Sequence, residues 1–524
     1  MSAFDVTLLK LFVSVAATVL LVADAVLRRR GRVDRFVLRR SSALAALALV
    51  AALSWWNFFQ FGERGFVQGH EFFHYYLGAK YFPELGYTRL YPCTAVAEAN
   101  MFPRTQFQGR LIREMETNRL LPIQNAIDHP ERCTSHFEPD RWREFQQDAA
   151  WFRQRIAPDK WRKFFIDHGY NAPPVWGVLG IEIANALDIS FSSITAASRI
   201  DPALQLIMWT AVAWAFGWRA LCVALVFWGT NGLGEFGFLG GAYLRQDWFC
   251  MTLLGLCALR RDKHLAAGGL LATAALLRIF PVFLILALGV KTLCAMWKDR
   301  TLRPPAAHLR FAGGCLLAAA ILVPLSGATG GLDSWPRFID NIQLHRETPG
   351  ANNVGLLTLA SYHDANLASA ELSTRSEERW KADRRELRRE RSWLILASWL
   401  AYLVLLVRAA GRSPDWVVAI LGVGGIFMFL EITAYYYAVL VAYALLHERD
   451  FVAGPAICAF SAVSLLLTRY WASSEMVFSH AGLSAALVFL VLGLTWRAGQ
   501  PPSSDIPVSE RGDPPRGISV SGAR

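Results

Sequence analysis

The sequence predicts an all-α polytopic membrane protein, and three observations carry that reading. Of 524 residues, 54% are hydrophobic and only 18% charged, with a mean hydropathy of +0.29. Apolar runs of bilayer length recur along the chain, which a soluble domain of this size would not offer. Arginine clusters punctuate these runs where loops should face the cytoplasm. The net charge of +11 therefore reads as basic loops held at an anionic membrane face, and no nucleic-acid partner is expected.

The elements follow in order. Residues 6–27 form a first span, too long for a secretory signal and without a small-residue cleavage pattern after it. Arg28, Arg29, Arg30, Arg32, Arg35, Arg39 and Arg40 follow, opposed only by Asp34. That loop is placed in the cytoplasm, so residues 41–62 run outward. Residues 63–172 form a long polar outer loop. It should be helical and lie partly on the membrane, with Trp142, Trp151 and Trp161 at headgroup depth. Residues 173–188 should return to the cytoplasm, and 202–231 reads as one broken span or two short ones. Residues 246–259 end at Arg260, Arg261 and Lys263. Residues 265–277 and 282–294 flank the break Arg278-Ile279-Phe280-Pro281, which fits two short helices meeting at an outer turn.

Residues 311–325 lead out again to a second polar loop, 327–392. Its arginine-rich stretch, residues 375–391, is placed outside by span parity, with interleaved acids forming helical charge pairs. Further spans fall at 393–407, 417–430, 433–446, 452–467 and 481–494. The total is about 11–13 transmembrane helices. The domain reading is an extra N-terminal span with its basic loop (1–40), a catalytic module (41–326), the second outer loop (327–392), C-terminal spans (393–498) and a disordered cytoplasmic tail (499–524) rich in Pro, Ser and Gly. Six cysteines lie in apolar runs, as small hydrophobes. Cys93 and Cys133 fall in the first outer loop and either pair, if that loop is periplasmic, or stay free.

Chemistry concentrates where the 41–62 span ends. Gly69-His70-Glu71-Phe72-Phe73-His74-Tyr75-Tyr76 sets a carboxylate, two imidazoles and aromatic rings at the membrane surface. The same letters spell H-E-x-x-H, in which His70 and His74 would share a helix face and bind zinc while Glu71 activates water. A third ligand is needed. Asp333, in Leu332-Asp333-Ser334, matches poorly, and His168, His345 and Glu84 have no spacing to recommend them.

A second pattern uses more of the chain. Glu71-Phe72-Phe73-His74-Tyr75-Tyr76-Leu77-Gly78-Ala79-Lys80, then Leu90-Tyr91, resembles the first outer loop of GT-C superfamily membrane glycosyltransferases, in their polyprenol-phosphate-mannose-dependent mannosyltransferase-like branch. That family has Asp-Phe-x-x-Tyr-Tyr followed by Leu-Tyr, so Glu71 stands where it has Asp. Further similarities come in order: Asn171-Ala172-Pro173-Pro174, Gly241-Ala242-Tyr243-Leu244-Arg245-Gln246-Asp247, Ala267-Gly268-Gly269-Leu270, Leu277-Arg278-Ile279-Phe280-Pro281 and Asn352-Asn353-Val354-Gly355-Leu356. Arg278 replaces the family's Lys. The resemblance spans residues 41–361. It implies a GT-C-like bundle with two long exoplasmic loops containing surface helices. It also implies inverting transfer of a mannose-like hexose from a polyprenyl-phosphate donor to a lipid or glycan acceptor at the outer face of a bacterial-type plasma membrane. No metal is obligatory, although a divalent ion is compatible.

Glu71 would be the base, its pKa raised by partial desolvation at the interface. Arg278 and Arg245 would neutralise the departing phosphate. Asp247, His70, His74 and Asn353 would line the substrate site. Tyr75, Tyr76 and Tyr91 would stack on sugar or line a lipid groove. Alternatives are the zinc protease built on His70 and His74, and a non-enzymatic transporter or scaffold. A transporter should show repeated half-sequences, and none is evident.

Overall fold

A computed structural model of the chain describes residues 3–30, 37–61, 65–347, 352–363, 374–470 and 476–500. The expectations for residues 31–36 of the basic loop and 501–524 of the tail lie outside the described residues. The described residues are mostly helical, with two small two-stranded sheets. Among the described residues, five helical stretches are long and apolar enough to cross a membrane: Asp5–Leu27, Phe191–Thr230 (which is broken at Gly217), Ala306–Gly330, Ser392–Ala410 and Ser479–Ala498. Shorter apolar helices lie at His264–Leu277, Asp415–Phe429, Ala434–His447 and Ala453–Arg469. This is an all-α membrane protein.

Charges buried along α1 (Ala3–Arg29) mark two faces of the bundle. Lys10, near its start, approaches Glu235 (3.9 Å). Asp24, near its end, binds Arg40 at the start of α2 (Val37–Trp55) at 3.3 Å and Arg219 at 2.8 Å. Call the Glu235 end the upper face and the Asp24 end the lower.

The next helix to follow α2 into the bundle was expected to cross, and it does not. This helix, α3 (Pro174–Ala186), has both ends tied to the first loop. Tyr87 donates to the carbonyl of Ala172 (3.0 Å), Tyr76 to that of Leu187 (2.8 Å), and Arg141 to the side chain of Asn185 (3.1 Å). At roughly 20 Å long it is also too short to span alone. It stays on the upper face. The 202–231 region is two short arms. Helix α4 (Ile200–Thr230) breaks at Gly217, where φ is +83°, and folds back so that Trp209 and Trp228 meet at 5.8 Å. Arg219, beside the break, is the residue that pairs with Asp24 below.

The remaining helices alternate. Helix α5 (Asp247–Arg260) descends, α6 (His264–Leu277) rises to Arg278, and α7 (Val282–Lys298) descends again. The expected turn between two short helices is therefore present. Helix α8 (Ala306–Gly330) packs against α6 almost backbone to backbone. A Cβ on Gly268 would stand 1.9 Å from the Phe311 carbonyl oxygen, so only glycine fits there. Below, Asp415 gathers His264 (2.9 Å), His308 (3.3 Å) and Lys291 (3.3 Å), clamping four helices.

The first loop is a domain with its own core. Cys93 and Cys133 are bridged, with Cα atoms 5.3 Å apart. A hairpin of β1 (Leu111–Glu114) and β2 (Arg119–Pro122) interrupts what was expected to be wholly helical. Trp161, expected at headgroup depth, is buried instead and donates to Glu98 (2.9 Å), which also holds Arg110 (3.1 Å) and Arg153 (3.0 Å). Its rings pack on one another, Phe73 on Phe152 and Trp161, and Trp161 on Phe164 and Phe165.

The second loop contributes α9 (Ser334–Glu347), the short β3 (Asn353–Val354) and the arginine-rich α10 (Thr374–Glu390). Buried Arg113 of β1 binds Glu377 of α10 (3.1 Å), so α10 lies on the first loop's face, as span parity requires. Helices α11 (Ser392–Ala410) and α12 (Asp415–Phe429) lead down and up to β4 (Ile432–Thr433), which pairs with β3. The span expected at 433–446 is not a uniform α-helix, because Ala434–Leu440 is a 3₁₀ segment. Helices α13 (Ala453–Leu465) and α14 (Met476–Ala498) close the bundle.

Candidate active site

The residues at the end of the second span form a short continuous helix over 69–80, with a π-helical centre at Phe72–Leu77. Glu71 on this helix is 5% exposed and ion-pairs with Arg245. The loop that presents Arg245 is held from several sides. Leu244 takes a left-handed φ of +48°, which costs a side-chain-bearing residue about 1–3 kcal/mol. Its carbonyl accepts from the Trp176 indole (2.9 Å), and the carboxylate of Asp201 accepts from the backbone N–H groups of Arg245 (3.0 Å) and Gln246 (3.1 Å). Asp201, at the start of α4, thus aims Arg245 at Glu71.

Arg278 enters from the turn between α6 and α7. It is buried, with its guanidinium 5.5 Å above the Tyr75 ring. Tyr75 in turn donates to Asn171 (2.6 Å) and lies within electrostatic reach of Glu71, Arg245 and Arg278. Arg245 sits 4.4 Å over the ring of Tyr435, which meets Tyr436 at 4.5 Å, and Tyr436 meets Phe280 at 4.8 Å. Arg245, Tyr435 and Tyr436 line a narrow cavity with Gln246 and Trp248. One carboxylate and two guanidiniums, far apart in sequence, therefore gather around three tyrosines on the upper face. Asp247 opens α5, accepts from the Trp248 N–H (2.6 Å) and faces Arg278, not Arg245. Asn353 is buried in β3 opposite Thr433, two residues before Tyr435.

Electrostatics overturn one expectation. The Nδ1 of His70 lies 3.4 Å from Glu71 and its Nε2 2.9 Å from Asp167, giving an alternating row Asp167, His70, Glu71, Arg245. Burial alone would raise Glu71, but the Arg245 and His70 charges outweigh it and hold the carboxyl at about 2. Burial likewise opposes protonation of His70, and the Asp167 and Glu71 carboxylates outweigh it, lifting the imidazole to about 9. Glu71 is thus a firmly ionised partner in an ion row, not a desolvated carboxyl with a raised pKa.

The other aromatic and imidazole groups have structural partners. The Nδ1 of His74 lies 2.7 Å from the His70 carbonyl, which can only accept, so that nitrogen carries the proton. Its Nε2 then accepts from the Tyr91 hydroxyl (2.7 Å), which itself accepts from the Gly169 N–H (2.8 Å). Burial, reinforced by the charge on His70, lowers His74 to about 4. Tyr76 is fully buried against Leu187. His74 and Tyr91 therefore hold the 69–80 helix to the loop domain, Tyr76 holds it to the end of α3, and none of the three lines the cavity.

One nitrogen of each of His70 and His74 and an oxygen of Asp167 lie within 4.8 Å of one another, a spacing a metal ion can use. Asp167 is the third ligand the motif lacked, whereas Asp333 pairs with Arg337 (2.7 Å) and Glu84 with Arg141 (2.9 Å). Both His74 nitrogens are already bonded, and Glu71, the would-be water-activating group, points to Arg245. The set fits a zinc protease poorly.

Sequence reading missed Tyr435, Tyr436, Asp167 and Asp201. The run Tyr435-Tyr436-Tyr437 inside an apolar stretch is a legible sign of a lined site; a lone Asp beside His168, or before Pro202, carries no spacing signal. No family model, curated protein or solved structure matches this chain.

Proposed function

We propose that this chain is a membrane glycosyltransferase with a GT-C-like bundle. It moves a mannose-like hexose from a polyprenyl-phosphate donor to a lipid or glycan acceptor on the periplasmic or extracellular face of a plasma membrane. The observation that carries this reading is the convergence of Glu71, Arg245 and Arg278 around Tyr75, Tyr435 and Tyr436. The bridged Cys93 and Cys133 support the oxidising side of the membrane.

The donor's chain stays in lipid while its phosphate meets Arg278 and Arg245. The phosphate competes with Glu71 for the Arg245 guanidinium. As Arg245 turns to the phosphate, the carboxylate loses its strongest charge partner and becomes more basic. The acceptor oxygen attacks the anomeric carbon, its proton passes to Glu71, and the carbon–oxygen bond to phosphate breaks with the electron pair leaving on the phosphate. Inversion is what the family resemblance implies. Tyr75 and Tyr435 offer ring faces for the sugar.

Membranes containing the protein, incubated with radiolabelled polyprenyl-phosphate hexoses, should transfer label to lipid or glycan. Glu71→Gln should slow transfer roughly a hundredfold to ten-thousandfold, and Arg278→Ala should also abolish most of it, at matched protein levels. Undiminished transfer in both variants refutes the assignment. The His70, His74 and Asp167 spacing keeps a metal reading testable: stoichiometric zinc in purified protein, lost in His70→Ala, would favour it.

A further inference from the structure

A cavity of about 550 Å³ opens between α9 and α10 on the upper face. Arg346, Lys381, Arg384, Arg385 and Arg388 line it, against Glu347, the single carboxylate among the described residues that line it. Among the described residues, its charge is not balanced from behind. Arg384 and Arg388 share one carboxylate, Glu431, and Lys381 leans on Glu377 (3.2 Å), which already serves Arg113. Arg384 is only 5% exposed, yet its Nε is buried without a partner, as is that of Arg388. Buried Lys80, by contrast, alone holds Glu144 (2.7 Å) and Asp148 (2.8 Å). Arg346 and Arg385 make no ion pair among the described residues.

We infer that this cavity binds an oligophosphate group of pyrophosphate charge. Guanidinium forks match phosphate oxygens two at a time, and a cavity of this size has room for a headgroup beyond the phosphates. The site flanks the Glu71 cluster without belonging to it. On α9, His345 touches His168 (3.2 Å), next to Asp167, and Glu431 precedes the Tyr435-Tyr436 segment. A phosphate-bearing ligand seated here would lie beside the transfer site. The inference stands apart from the transferase reading, since binding is measured without turnover.

The test titrates the full chain, in phosphatidylcholine nanodiscs, with inorganic pyrophosphate by calorimetry. Saturable binding that weakens with salt is expected. Arg346→Ala with Arg385→Ala removes two cations without breaking an ion pair, and should weaken binding roughly a hundredfold, about tenfold per cation, with unchanged thermal unfolding. Arg278→Ala should bind as the parent does. The proposal falls if no saturable binding occurs, if the double variant binds like the parent, or if Arg278→Ala is the variant that loses binding. A second arm adds a polyprenyl pyrophosphate to the discs. Competition with the soluble ion identifies a lipid headgroup as the source; its absence identifies a soluble anion, and both support the cavity.

Discussion

His70 lies between two carboxylates, and the row it completes has a definite pH signature. Its pKa is raised from an ordinary 6.5 to about 9, so its contribution is full below 6.5 and is lost as pH rises through 9. Glu71 is depressed from 4.5 to about 2, so its contribution is present above 4.5 and is lost as pH falls through 2. The row is strongest between pH 4.5 and 6.5. The melting temperature in detergent should therefore decline from pH 6.5 to 9, and His70→Ala should flatten that decline; an equal slope in both proteins would contradict the bridge. Glu71→Gln leaves Arg245 buried without its carboxylate, at a cost of about 3 kcal/mol, and Arg245→Met in the same protein should recover much of it. Denaturation of the single and double variants measures the difference.

At the scale of elements, the contact of α6 with α8 depends on one missing side chain. The atom that a Cβ on Gly268 would strike is a backbone carbonyl, which cannot rotate aside. Gly268→Ala should destabilise the protein by about 1–3 kcal/mol, as overpacking does. Gly289→Ala, on the neighbouring α7, meets nothing within 4 Å and should be neutral or slightly stabilising. Comparable melting temperatures for the two variants would mean that the helices do not approach this closely. The α6–α7 turn shows how an element makes a site: Arg278 is where one helix stops, so its guanidinium reaches the tyrosines instead of lying along a helix flank.

For the whole molecule, the ion pairs of α1 and α10 separate two faces. Asp140→Cys in the first loop and Arg385→Cys in α10 should react with an impermeant maleimide from one side of the membrane, and Lys298→Cys from the other. Labelling of Asp140→Cys and Arg385→Cys from opposite sides would break this topology. The alternation of apolar runs, the α6–α7 break, and the candidacy of Glu71, Arg245 and Arg278 were all legible in the sequence. Each depends on a local property: a run without charge, a proline, or an ionisable group where burial is costly. The path of α3 was not legible, because a mainly apolar run of 13 residues reads alike whether it crosses lipid or lies on a domain. Nor was the pairing of Glu71 with Arg245, the approach of Asp167 to His70, or which cluster the Tyr435-Tyr436 run would join. Local pattern determined that this is a helical membrane protein with charged and aromatic groups at the helix ends. The tertiary structure alone decided which of those groups meet, because an ion pair between residues 71 and 245 is set by packing across the bundle and leaves no periodicity in the chain.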